Sequence, residues 1–178
     1  MATHSLLVTG FTGFGDINDN PAAWLAEHCG EPFELLPVSY AAAEQWLIAR
    51  QSNPPERLLM LGVAADRPHF SVELYGWNAV GPTPDIEGQT AAPVLAGPVN
   101  AAASLWSPDL TAEIVVLGHA RLSANPGDYL CNFMAYRAPQ LLPGTRSGFL
   151  HVPGDAHMIR DRMLQHLRAI LALIHERG

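Results

Sequence analysis

Leu58-Leu59-Met60-Leu61-Gly62 is a continuous apolar run, the pattern of an inner strand buried on both faces of a parallel sheet. Just before it, Asn53-Pro54-Pro55 closes a helix predicted over 41–50. Further upstream, 33–38 reads as a strand. Ser5-Leu6-Leu7-Val8-Thr9 reads as a buried strand that runs into the turn Gly10-Phe11-Thr12-Gly13-Phe14-Gly15. Asn20-Pro21 has the form of a helix N-cap with proline at the first helical position, and that helix extends to about His28 before Gly30. Downstream, 69–75 alternates in character, as a more exposed edge strand would. Residues 76–98 are rich in Gly and Pro without periodicity; a loop of that length in a compact domain is usually functional or mobile. A short helix is predicted over 100–106. Ile114-Val115-Val116-Leu117-Gly118 reads as a central strand, 130–142 as a helix, 148–152 as a strand and 155–177 as a long amphipathic helix. Strands alternating with helices predict an α/β fold. The expected architecture is a three-layer sandwich whose mostly parallel, twisted central sheet is flanked by helices, with ligands beyond the carboxyl ends of the strands.

The chain has 178 residues, expected to form a single domain over 1–178 that buries its core without disulfides or metal. Charged residues are only 15% and hydrophobic residues 48%, which excludes a disordered chain. All ten positive residues are arginine. With no lysine there is no Walker A lysine, no Schiff base and no Ser-Lys dyad. A net charge of −7 without a basic stripe argues against a nucleic-acid partner. Two cysteines, Cys29 and Cys131, make no disulfide framework. Met1-Ala2-Thr3-His4 carries no secretion signal, and no apolar stretch is long enough to span a membrane. Together these features lead to a cytoplasmic expectation with both thiols reduced.

Three residues could carry chemistry. Cys131 follows Asn125-Pro126-Gly127-Asp128; with Asp128 as N-cap, it falls in the first helical turn, where free N–H groups favour a negative sulfur and could hold an oxyanion. Position alone weighs nucleophile and buried core filler evenly. His151 ends the strand Gly148-Phe149-Leu150-His151-Val152, well placed as a general base, and its pairing with a first-turn cysteine favours a Cys–His couple. Glu73, in Phe70-Ser71-Val72-Glu73-Leu74-Tyr75, could orient that imidazole, although its segment by itself favours a solvent-facing carboxylate. Phe11 and Phe14 suit either an apolar pocket wall or the core. The eight histidines include no His-Glu-x-x-His, and there is no Cys-x-x-Cys, so no metal is expected; His166 and His175, on the last helix, are expected in solvent.

Taken together, four blocks in order resemble the pyroglutamyl peptidase I (pyrrolidone carboxyl peptidase) family of cysteine peptidases. They are Leu7 to Gly15 with Asn20-Pro21, Gly62 through Arg67 to Glu73, Asn125 through Cys131-Asn132, and Gly148-Phe149-Leu150-His151-Val152-Pro153. The resemblance implies a catalytic triad of Cys131, His151 and Glu73, with Phe11, Phe14, Tyr129 and Leu130 binding substrate. It further implies removal of N-terminal pyroglutamate from peptides, no cofactor, and a homo-oligomer, dimer or tetramer. The chain departs from the family's pattern at Gly13, where proline is usual. It also departs at Ala65-Asp66 before Arg67, at Asn125-Pro126-Gly127-Asp128, and at Pro82-Thr83, where an arginine usually precedes the Pro-Asp-x-x-Gly segment kept here as Pro84-Asp85-Ile86-Glu87-Gly88. The alternatives are a cysteine hydrolase of another acyl-amide and a catalytically impaired pyroglutamyl-binding homologue.

Overall fold

The computed structural model describes residues 6–15 and 18–177. The chain runs β1 (Leu7–Phe11), α1 (Pro21–His28), β2 (Phe33–Leu36), α2 (Tyr40–Arg50), β3 (Arg57–Ala64), β4 (Ser71–Glu73), β5 (Tyr75–Trp77), β6 (Asn100–Ala102), α3 (Pro108–Val116), β7 (Arg121–Ser123), α4 (Leu130–Leu141), β8 (Arg146–Pro153) and α5 (Arg160–Arg177). Ser5, the expected start of the first strand, lies outside the described residues, as do Met1 to His4. Among the described residues six strands form one sheet in the order β2-β1-β3-β8-β4-β7, and β5 pairs β6 as a separate ribbon. Strands β2, β1, β3 and β8 are mutually parallel; β4 runs antiparallel to β8 and parallel to β7.

The apolar run around Leu61 is the middle of β3, paired along its whole length with β8. Its side chains alternate between two cores, as the two-residue period of a strand requires. Leu59 and Leu61 pack with Leu25 of α1, Leu110 and Ile114 of α3, and Leu167 and Ile170 of α5. Leu58 and Met60 pack with Ala43 and Leu47 of α2 and with Phe133, Met134 and Ala138 of α4. Helices α1, α3 and α5 therefore form one outer layer, and α2 and α4 the other. The three-layer, mostly parallel α/β sandwich predicted from the alternation of elements is what the chain forms.

Helix starts follow local cap chemistry. The Asn20 side chain accepts from Ala22 N at 2.9 Å, with Pro21 at the first helical position. Ser39 caps α2 and Ser107 caps α3 in the same way. That last cap corrects the reading of 114–118 as a strand. Ser107-Pro108 starts a helix, only Leu110, Thr111 and Ile114 turn inward, and the apolar run ends the helix with Val116 and Leu117 exposed before Gly118 at φ 75°. Inner-strand positions go instead to β8. The helix expected over 100–106 is also corrected: β6 forms there, because β5 supplies an antiparallel partner that local propensity does not report. The last helix begins at Arg160 rather than 155; the Arg160 guanidinium binds Asp155 and Asp19 ahead of it. Of the two histidines expected in solvent, His166 is half-buried against His119, and His175 is exposed but paired to Glu31 at 2.7 Å.

The ribbon lies directly on α4. A Cβ at Gly76 would come 2.2 Å from Tyr136 N and 2.3 Å from Ala135 C, both helix backbone. Gly76→Ala is therefore expected to destabilise by about 3 kcal/mol or more, because neither backbone can yield without moving a whole element. Urea unfolding checks this; an unchanged midpoint would mean that ribbon and helix separate freely.

Candidate active site

Sheet register assembles the candidate residues. Gly62 of β3 pairs with His151 of β8, and across β4 and β8 Glu73 pairs with Phe149 and Ser71 with His151. Alternate residues share a face, so Glu73, Phe149 and His151 all point toward the α4 side. Glu73 and His151 are then diagonal cross-strand neighbours, and the imidazole Nδ1 donates to Glu73 Oε1 at 2.7 Å. Both side chains are buried, at 1% and 4% exposure. The expectation of a solvent-facing Glu73 is corrected here: β7 covers the outer side of β4, which makes it an interior strand.

Cys131 approaches from the helix layer. It is the second residue of α4, in the first turn, where backbone N–H groups have no intrahelical acceptor. The N-cap is Tyr129 rather than Asp128, and no side chain caps the helix, so nothing from the chain's own caps occupies that end. The sulfur lies over Gly62: a Cβ there would fall 2.6 Å from Cys131 Sγ and 2.7 Å from Phe149 Cζ. Glycine at this position is what lets the sulfur sit on the strand next to His151. Cys29, by contrast, is buried and donates to Ala26 O at 3.2 Å, and burial pushes its thiol pKa up.

Cys131 and His151 line one pocket of about 170 Å³ with Phe11, Phe14, Asn20, Val38, Val63, Pro126, Tyr129 and Leu130. All four expected substrate-contacting residues are there. Phe11 is also part of the core beneath, so for it the wall and core readings both hold. Phe14 and Tyr129 face each other with ring centroids 6.3 Å apart. Among the described residues, no carboxylate and no arginine lines this pocket.

The charge pattern around the imidazole favours its protonated form. Burial pushes the His151 pKa down, but the neighbouring Cys131 sulfur and the Glu73 carboxylate outweigh it and raise it to about 9. Burial pushes Glu73 up, yet its bonds to His151, Ser123 and Arg67 hold it below the usual carboxylate range.

Arg67 joins this site from the loop after β3. Its Nη1 donates to the same Glu73 Oε1 at 2.7 Å, and its Nη2 donates to Asn125 O at 2.7 Å in the loop leading to α4. One guanidinium thus ties the acid behind His151 to the segment that delivers Cys131. The available signal was that Arg67 is the only positive residue between Arg57 and Arg121. Asn132, which the sequence shows only as part of the nucleophile block, also has a structural role. Fully buried, it accepts from Trp77 N at 2.7 Å and donates to Trp77 O and Ala79 O. The loop it holds is further pinned by Asp85. Burial pushes that carboxyl up, but the backbone N–H groups of Gln89, Tyr40 and Glu87 outweigh it and hold it below its ordinary value. Tyr129 Oη adds a bond to Pro84 O at 3.0 Å. The periodless 76–98 segment is thus a wall built against the start of α2 and α4.

A sequence model of the pyroglutamyl peptidase family matches residues 4–165. The chain belongs to the pyroglutamyl peptidase family. The pyrrolidone-carboxylate peptidase of Deinococcus radiodurans is 33% identical over 172 residues, covering 85% of this chain and 79% of that protein. That of Thermococcus onnurineus is 29% identical over 196 residues, covering 94% and 90%. The crystal structure of pyrrolidone carboxyl peptidase from Thermus thermophilus superposes with a TM-score of 0.79 at 29% identity, covering 97% of this chain and all of that one. The pyroglutamyl peptidase family is a family of cysteine peptidases, in agreement with the reading of a cysteine enzyme from the motifs.

Proposed function

We propose that this protein hydrolyses the bond after an N-terminal pyroglutamyl residue, with Cys131 as nucleophile, His151 as general base and acid, and Glu73 orienting and charging the imidazole. The observation that carries the substrate class is the pocket beside Cys131: small, aromatic-walled and, among the described residues, lined by no carboxylate. An ordinary peptide N-terminus or a prolyl amine would bring a positive charge into that lining with no counter-ion, at a desolvation cost. A lactam ring is neutral and needs only apolar walls and hydrogen bonds from the surrounding polar groups.

In this mechanism the Cys131 proton passes to His151 and the sulfur attacks the pyroglutamyl carbonyl carbon. The backbone N–H at the start of α4 holds the oxyanion. His151 Nδ1 is engaged by Glu73, so the other ring nitrogen, Nε2, delivers the proton to the leaving amine as the C–N bond breaks. A thioester remains on Cys131. Water then attacks it with His151 as base, and the sulfur leaves.

The pocket's lack of charge makes substrate discrimination the direct test. Cleavage of a pyroglutamyl-amide fluorogenic substrate is expected to exceed that of the matching prolyl amide by at least ~100-fold in kcat/KM, because a site matched to a polar group rejects the analogue lacking it. Comparable rates would favour a hydrolase of another acyl-amide. No cleavage of either, with ordinary alkylation kinetics at Cys131, would favour a binding homologue.

A further inference from the structure

Of the ten arginines, six are paired with a carboxylate. Arg57 and Arg168 donate to backbone carbonyls. Arg121 and Arg162 alone have neither kind of partner among the described residues. These two converge on a single pocket of about 410 Å³, which they line together with His69, His119 and His166. Among the described residues no carboxylate lines it. In a chain of net charge −7, an accumulation of two unpaired guanidiniums and three imidazoles without an acid is not what average composition produces.

The residues arrive from three separate elements. His69 precedes β4, Arg121 opens β7, and Arg162 and His166 lie one turn apart on α5. His119 Nδ1 meets His166 Nδ1 at 3.3 Å, and the buried His69 Nδ1 has no hydrogen-bond partner. The field is felt by the histidines themselves: burial and then Arg121 and Arg67 push His69 down, while burial, His119 and Arg162 push His166 down. The cluster therefore stands as uncompensated positive potential. None of its residues belongs to the Cys131 pocket.

We propose that this pocket binds a small phosphate dianion, as inorganic phosphate or as a phosphomonoester. Two guanidiniums and three ring nitrogens present more donors and more charge than one carboxylate can satisfy, whereas a phosphoryl group offers three or more acceptor oxygens and two charges. Phe70, Val115, Ala120 and Met158 form the apolar side chains of the lining, so an ester's organic part has a surface to rest on.

The test is isothermal titration of the full chain at low ionic strength and neutral pH, with inorganic phosphate and, separately, glycerol phosphate. Saturable one-to-one binding is expected, weakened at least tenfold in Arg121→Gln and in Arg162→Gln and unchanged in Arg146→Gln, an exposed arginine outside the pocket. Both pocket arginines are at the surface, and circular dichroism checks that the variants fold. In the wild-type chain the NMR signals of the His119 and His166 rings are expected to move with the same dissociation constant, a readout that needs no variant. Tighter binding of one probe identifies the source of the phosphoryl group. Absence of saturation with both, wild-type affinity in both pocket variants, or histidine signals that stay fixed would overturn the site. Neither outcome bears on pyroglutamyl cleavage.

Discussion

Cys131→Ala is expected to reduce cleavage of a pyroglutamyl amide by roughly 10⁶-fold, the scale seen when a covalent nucleophile is deleted from a triad. The reason is structural as well as chemical. Among the described residues the sulfur is the only thiol lining the apolar pocket, and it rests against Gly62 on the strand beside His151. Cys131→Ser keeps the shape and the N–H groups of the α4 terminus but replaces a good nucleophile by one the imidazole activates less readily, so a loss of similar order is expected. The fold should survive, because Cys131 is only half-buried and the neighbouring Asn132 holds the helix to the 76–98 segment. Mass spectrometry of a trapped acyl-enzyme and steady-state rates check this. Activity in Cys131→Ala within tenfold of wild type would remove the cysteine mechanism altogether.

Glu73→Gln is expected to cost on the order of 10²–10⁴ in kcat/KM, the range of a positioned acid–base contribution, and to move the pH profile in a defined direction. In the wild type the acylation step needs a proton on His151, so kcat/KM should fall as pH rises past about 9, where the imidazolium is lost. The carboxylate is one of the two neighbours that raise this pKa against burial. Removing its charge lowers the pKa, and the alkaline limb must shift toward lower pH. Arg67 decides the orientation of the replacement. Its guanidinium donates to the Oε1 position, so the glutamine oxygen turns there and still accepts from His151 Nδ1, and the loss reports charge rather than an inverted tautomer. The amide nitrogen then takes the position of Oε2, which has no hydrogen-bond partner in the wild type. A full pH–rate profile of the variant checks this. An unshifted alkaline limb would show that Glu73 does not set the charge of the base.

These two residues also mark how differently parts of the site could be read. Cys131 and His151 announce themselves locally: one sits in the first turn of a helix after a Pro-Gly turn, the other at the carboxyl end of an apolar strand. Glu73 does not, because its partner is 78 residues away and the contact depends on β4 running antiparallel to β8 in one particular register. A shift of that register by one residue would send the carboxylate to the opposite face. Arg67 is harder still, since its role exists only where the end of β3, the acid on β4 and the loop before α4 meet.

What the sequence determined by itself is whatever short-range physics controls: the buried run of β3, the caps Asn20-Pro21 and Ser39, the absence of lysine chemistry, and the residue types of the proposed nucleophile and base. Family blocks extended this to the acid and the aromatic wall. Only the tertiary structure decided that 100–102 is a strand. It alone placed Glu73 in the interior and put in one pocket two arginines without a carboxylate or carbonyl partner among the described residues. In each case the deciding partner is distant in sequence. Apolar runs fit helix ends and strands equally well, and a charge has no assigned partner until the sheet order brings one to it.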